Sequence, residues 1–133
     1  MINKDIIRLA SNTSNVGLKN KYSHKISLKN STCGDKITLE LIADKKKISS
    51  MKYETISCVY CEASASLLSR KIKNVKLKDI KNDLLTLKKI SLKKNLKIPK
   101  RLSEFKKLLN SDNFNRFKCI FLPIDAVLKA LKL

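Results

Sequence analysis

Glycine and proline are scarce, two of each in 133 residues, and tryptophan is absent. With Gly17 and Gly34 as the only glycines there is neither a glycine-rich phosphate loop nor a glycine-flanked serine elbow. The chain has one histidine, His24, so hydrolase chemistry has no support in the sequence. Long apolar runs are missing too. None approaches the roughly 18 residues that cross a bilayer, and residues 1–18 are interrupted by Asn3, Lys4, Asp5 and Arg8 before any signal-like stretch develops. A cytoplasmic protein with no membrane association is expected. In that setting the four cysteines are poor candidates for disulfides, because the cytosol keeps thiols reduced.

Acidic side chains are also few, 11 against 30 basic ones, for a net charge of +19. A charge of this size first suggests a basic nucleic-acid-binding module, since clustered cations displace counterions from phosphates. Only Arg8, Arg70, Arg101 and Arg116 are arginines, however, and bidentate phosphate and guanine contacts favour the guanidinium. Lysine accompanied by abundant Ile and Asn is the signature of drift toward A/T-rich codons, with lysine tolerated at the surface and maintaining solubility. Specific nucleic-acid binding is therefore not expected. The positive field should favour thiolate at cysteines near the surface and speed encounter with an acidic protein partner.

Length and a 43% hydrophobic content suit one domain with its own core. Ile6, Ile7, Leu9 and Ala10 mark a short N-terminal helix, followed by a polar break at 11–17. Residues 21–28 alternate, with Tyr22, His24, Ile26 and Leu28 on the apolar side, as in a half-buried strand. His24 there reads as a partly buried histidine rather than a metal ligand. A turn at 30–34 leads into a second strand over 37–43, and a charged turn at 44–47 leads into a third over 48–56. Helical periodicity follows over 61–72, 77–92, 102–109 and 118–131, with Pro123 expected in the first turn of the last helix. Strands first and helices after predict an α+β domain: a three-stranded antiparallel sheet with helices packed on one face. Residues 71–100 are the most compositionally biased, yet their apolar periodicity favours helix.

All four cysteines fall at predicted element ends. Cys33 stands in Thr32-Cys33-Gly34-Asp35 between two strands, where Gly34 allows the backbone to turn so that Cys33 and Asp35 reach one ion. Cys58 and Cys61 enter the helix after the third strand, and Cys119 stands near the start of the last helix, where exposed amides favour thiolate. Gaps of 25 and 61 residues between Cys33, Cys58 and Cys119 match no paired zinc-finger spacing. Spacing alone leaves two readings open, metal ligands or small buried hydrophobes.

Three segments taken together carry a resemblance. Asn30-Ser31-Thr32-Cys33-Gly34-Asp35-Lys36-Ile37-Thr38-Leu39, Cys58 with Ala63-Ser64-Ala65-Ser66, and Arg116-Phe117-Lys118-Cys119 resemble the signature segments of U-type iron-sulfur cluster assembly proteins. The polar break over 12–17 is similar to that family's Asn-Pro-Arg-Asn-x-Gly stretch. Lys118 in place of the histidine of the IscU branch, and a long 71–100 region like the insertion of the SufU branch, make the chain SufU-like. The resemblance implies a single domain over 1–133, with 1–20 a helix and partner-contact segment and 71–100 a branch-specific helical insertion. It implies a zinc site made by Cys33, Asp35, Cys58 and Cys119, with Arg116 and Lys118 compensating its charge from just outside. Cys33 would leave the metal to accept persulfide sulfur from a pyridoxal-phosphate cysteine desulfurase of the SufS kind, for downstream assembly or acceptor proteins. As in the IscU branch, the same four residues would alternatively hold a transient [2Fe-2S] cluster. Cys61 is additional to the family's set and reads as a bystander. Whether such a protein counts as a sulfurtransferase or a non-enzymatic scaffold is left open by the sequence.

Overall fold

The computed structural model describes residues 4–90 and 97–133; the expected end of the third helix at 91–92 and residues 91–96 of the 71–100 insertion lie outside that range. The chain forms α1 (Lys4–Ser11), β1 (His24–Lys29), β2 (Lys36–Ala43), β3 (Ile48–Ile56), α2 (Val59–Lys71), α3 (Leu77–Ile90) and α4 (Phe117–Ala130). Two 3-10 segments, Lys100–Lys107 and Ser111–Arg116, precede α4. The strands pair in sequence order as an antiparallel meander. Leu39 lies between Ile26 and Tyr53, and Leu41 lies between His24 and Met51. That register puts Ile37, Leu39, Leu41, Met51 and Tyr53 on one buried face, because side chains two apart on a strand share a side.

Helices α2 and α4 pack on this face, α1 and the Lys100–Lys107 segment lie against α2, and α3 lies against α4. The expected α+β architecture is present. Helix α2 is buried on nearly every side, which explains why it carries Ser64, Ser66 and Ser69 rather than charges. Each of these hydroxyls bonds a carbonyl: Ser64 donates to Ile120 at 2.6 Å, Ser66 to Asn12 at 2.8 Å and Ser69 to Ser66 at 2.8 Å. A buried hydroxyl is tolerated when it has such a partner.

Four local expectations need correction. The first strand starts at His24 rather than 21, and Tyr22 is half exposed, with the Lys25 ammonium 5.3 Å from its ring centroid. Asn20, in the left-handed region at φ 58°, turns the chain just before it. Residues 100–107 form a 3-10 helix instead of an α-helix, kinked at Leu102. Leu102, Phe105 and Leu108, all buried, are spaced by three, which is the 3-10 repeat. The 3-10 turn over Ser111–Arg116, capped by the Asn110 side chain accepting from Asp112 N, had no apolar pattern to announce it. Pro123 lies inside α4 and is the seventh of its 14 residues. The helix starts at Phe117 because its apolar face extends that far, so the missing proline N–H leaves the Cys119 carbonyl without its helical donor.

Candidate functional site

The site is built where three chain reversals meet. Between β1 and β2 the backbone closes through Asn30 N to Asp35 O at 2.7 Å and Gly34 N to Asn30 O at 2.8 Å. The Asn30 side chain accepts from Thr32 N at 2.9 Å, and Gly34 takes φ 77°, a conformation glycine adopts without penalty. This turn holds Cys33 at the surface while Asp35 is turned inward, 6% exposed.

Cys58 is the residue just before α2, with extended backbone at φ −74° and ψ 167°. Its amide donates to Asp35 Oδ1 at 3.1 Å and its thiol to Asp35 Oδ2 at 3.3 Å. Both carboxylate oxygens are thus engaged by one residue, which locks the β1–β2 turn to the start of α2. Cys119, in the first turn of α4 and 3% exposed, places its sulfur 3.4 Å from that of Cys33. The donor atoms of Cys33, Asp35 and Cys119 all lie within 4.8 Å of one another. Cys58 is not one of these three mutually close donors and reaches them through its bond to Asp35. Of the four residues named from sequence, Cys33, Asp35 and Cys119 share one point, and Cys58 lies against it through Asp35.

Electrostatics at the site run against one expectation. The place of Cys119 near the start of α4 was expected to favour thiolate, but its thiol is held well above its ordinary range. Burial is the main cause, reinforced by Cys33, Asp35 and Cys58, which stabilise the protonated form. Desolvation and close acidic neighbours outweigh lysines that are spread over the surface. Cys61, fully buried in the core, is pushed up to about 12, chiefly by desolvation, so its place in the first turn of α2 does not make it a thiolate.

Arg116 and Lys118 flank Cys119 in sequence but point outward. The Arg116 guanidinium lies 5.7 Å from the centroid of the Tyr60 ring, and Lys118 lines a surface groove with Asn30, Ser31 and Phe121. Tyr60 was not anticipated. A tyrosine between two cysteines carries no pattern that tells a cation-binding ring from a core one. His24 is half buried and shares a 2.8 Å hydrogen bond between its Nδ1 and the Ser23 hydroxyl, apart from the cysteines. Beside the site Ile56 is 77% exposed, an isolated apolar side chain two residues before Cys58.

Comparison with known proteins fits this geometry. Residues 1–113 match the family model described as NifU-like N terminal domain. The iron-sulfur cluster assembly scaffold protein IscU of Thermotoga maritima is 31% identical over 105 residues, covering 78% of this chain and 73% of that protein. Among solved structures, the N-terminal NifU-like protein of Brucella abortus superposes with a TM-score of 0.87 at 20% identity, over 98% of this chain and 91% of that one. An iron-sulfur cluster assembly scaffold for the SUF system from Fervidobacterium islandicum AW-1 also gives 0.87 at 20% identity, over 98% and 96%. At that identity the two structures speak to the fold.

Proposed function

The chain belongs to the NifU-like N-terminal domain family, the family of iron-sulfur cluster assembly scaffolds, and from that premise we propose that it works as a SufU-type sulfur acceptor. In this reading Cys33, Asp35, Cys58 and Cys119 hold a zinc ion, and Cys33 takes persulfide sulfur from a pyridoxal-phosphate cysteine desulfurase. The convergence of Cys33, Cys119 and the buried Asp35, with Cys58 bonded to that carboxylate, is the observation that carries it.

The donor set suits the metal. Two sulfurs that share one zinc at about 2.3 Å each lie about 3.8 Å apart, and the 3.4 Å between the Cys33 and Cys119 sulfurs is close to that. When bound, zinc keeps its thiolates deprotonated and mutes them as nucleophiles. The chain's own residues supply the rest. Cys33, the most exposed of the four, meets the donor, and its sulfur attacks the outer sulfur of the desulfurase persulfide. The donor cysteine leaves as a thiolate, and Cys33 retains the transferred sulfur. Asp35 stays anchored to the start of α2 through the Cys58 amide, which donates to its Oδ1 at 3.1 Å, and so keeps the turn registered on that helix. Arg116 and Lys118, exposed at the start of α4, offset the negative charge that three thiolates and a carboxylate bring.

We assign partner contact to residues 1–20. Helix α1 is pinned to α2 by buried Ile6 and Leu9, which leaves Ile7 and Val16 exposed. Residues 71–100, which include α3, are read as the branch-specific insertion in a single domain over 1–133. The sulfur delivered here goes on to downstream assembly or acceptor proteins, and the work is assigned to the cytoplasm. No helix among the described residues is long and apolar enough to cross a membrane.

A second reading follows from the Thermotoga maritima relative, whose name is that of a scaffold. In it the same four residues build a transient [2Fe-2S] cluster as cargo, since thiolates suit iron as well as zinc. Metal analysis of anaerobically purified protein, combined with desulfurase turnover in its presence, separates the two. Zinc with strong stimulation is expected, and Cys33→Ser should abolish the stimulation while leaving the circular dichroism spectrum unchanged. Normal stimulation by Cys33→Ser overturns the acceptor role. Anaerobic reconstitution of a cluster that passes to an apo-ferredoxin supports the scaffold instead.

A further inference from the structure

The pairing of an exposed sulfur with a buried one 3.4 Å beneath it bears on what happens to sulfur after it reaches Cys33. Resting on the acceptor reading above, we infer that Cys119 is the resolving thiol, which releases the transferred sulfur as sulfide by forming a disulfide with Cys33.

The geometry selects Cys119 over its neighbours. Incoming sulfur adds to Cys33 from the solvent side, because that is where Cys33 is open. Cys119, itself buried, has its sulfur 3.4 Å from that of Cys33. Thiol–disulfide exchange proceeds by attack of one such sulfur on another. Cys58 is committed elsewhere, its thiol and amide both donating to Asp35. Cys61 is enclosed in the core, outside the group of converging donors. Closing from 3.4 Å to a disulfide bond requires a movement of about 1.4 Å. The movement falls to Cys33, which is exposed in its turn, since Cys119 is held within α4.

The step is balanced. A lone pair of the Cys119 sulfur forms the new bond to the Cys33 sulfur, and the bond from Cys33 to the outer sulfur breaks with its electron pair going to the outer sulfur. That atom leaves as hydrosulfide, and the Cys119 proton passes to solvent. The outer sulfur is reduced, Cys119 is oxidised by the same amount, and no external reductant takes part. A dithiol reductant then restores both cysteines for another cycle.

The test uses the full chain, stripped of metal under anaerobic conditions so that both sulfurs are free. It is loaded with glutathione persulfide and rapidly desalted. Released sulfide, intact mass and disulfide-linked peptides are then followed without added thiol. The wild type is expected to release stoichiometric sulfide and to accumulate a Cys33–Cys119 linkage. Cys119→Ser should keep the added sulfur on Cys33 and release sulfide about ten-fold more slowly or less. Its loading at Cys33 also reports that the acceptor turn is intact. Release by Cys119→Ser at the wild-type rate, a linkage from Cys33 to another cysteine, or a wild type that retains its persulfide overturns the inference while leaving the acceptor reading standing. Absence of added sulfur on Cys33 in both proteins overturns the two together.

Discussion

Gly34 separates the exposed Cys33 from the buried Asp35 and does so at φ 77°. Nothing within 4 Å would obstruct a Cβ, so the penalty of a side chain there is conformational alone. Gly34→Ala should cost about 1–2 kcal/mol of stability in urea unfolding, and relaxation of the turn should tilt Asp35 away from Cys58. A marked loss of zinc affinity, measured by competition with a chromogenic chelator, is the expected outcome. Unchanged affinity would mean that the turn's shape does not set the ligand geometry. At this scale the sequence was informative about the residues and silent about their states. Cys33, Asp35, Cys58 and Cys119 stand in recognisable strings, but Cys119 and Cys61 were expected to lean toward thiolate because they open helices. Their raised values come from burial, which local sequence does not encode.

Among the elements, β2 holds the least anticipated feature. Alternation along β2 puts Glu40 on the side opposite Leu39 and Leu41, yet it is almost fully buried there. Its Oε1 accepts from Lys19 N at 2.7 Å and Asn20 N at 3.1 Å, so residues 19–20 cross over it. The other oxygen has the Lys25 ammonium at 3.7 Å, within ion-pair range but beyond hydrogen-bond length. A carboxylate in this position ties the connection between α1 and β1 to the sheet. Glu40→Ala should cost about 1–3 kcal/mol, the usual penalty for stranding buried polar partners, and should speed hydrogen exchange at the Lys19 and Asn20 amides. Glu40→Gln keeps the accepting oxygen and should lose much less. Equal losses in the two variants would assign the effect to charge rather than to the backbone bonds. Element type was legible wherever apolar spacing was regular, as in β3, α2 and α3. It failed at 100–107, where a spacing of three resembles half of a helical pattern, and at 111–116, where the backbone is held by the side chains of Asn110 and Asn113.

For the molecule as a whole, the charge of +19 is a property of the surface, and the lysines scattered along every segment make it diffuse. Retention on immobilised DNA should therefore be independent of sequence and fall steeply as salt rises past physiological strength. Binding that survives high salt, or that selects one sequence over another, would overturn the codon-drift account. Composition and periodicity by themselves determined that this chain makes an α+β fold with an antiparallel meander, because alternation and helical spacing are local and survive without an alignment. The signature strings named Cys33, Asp35, Cys58 and Cys119 as the candidate site. What only the tertiary structure decided is that sulfurs 25 and 61 residues apart in the chain meet at one carboxylate, that one thiol is open while its neighbour lies beneath it, and that Arg116 turns to Tyr60. Those facts depend on how α2 and α4 seat on the sheet, a matter of long-range packing and desolvation that no window of neighbouring residues contains.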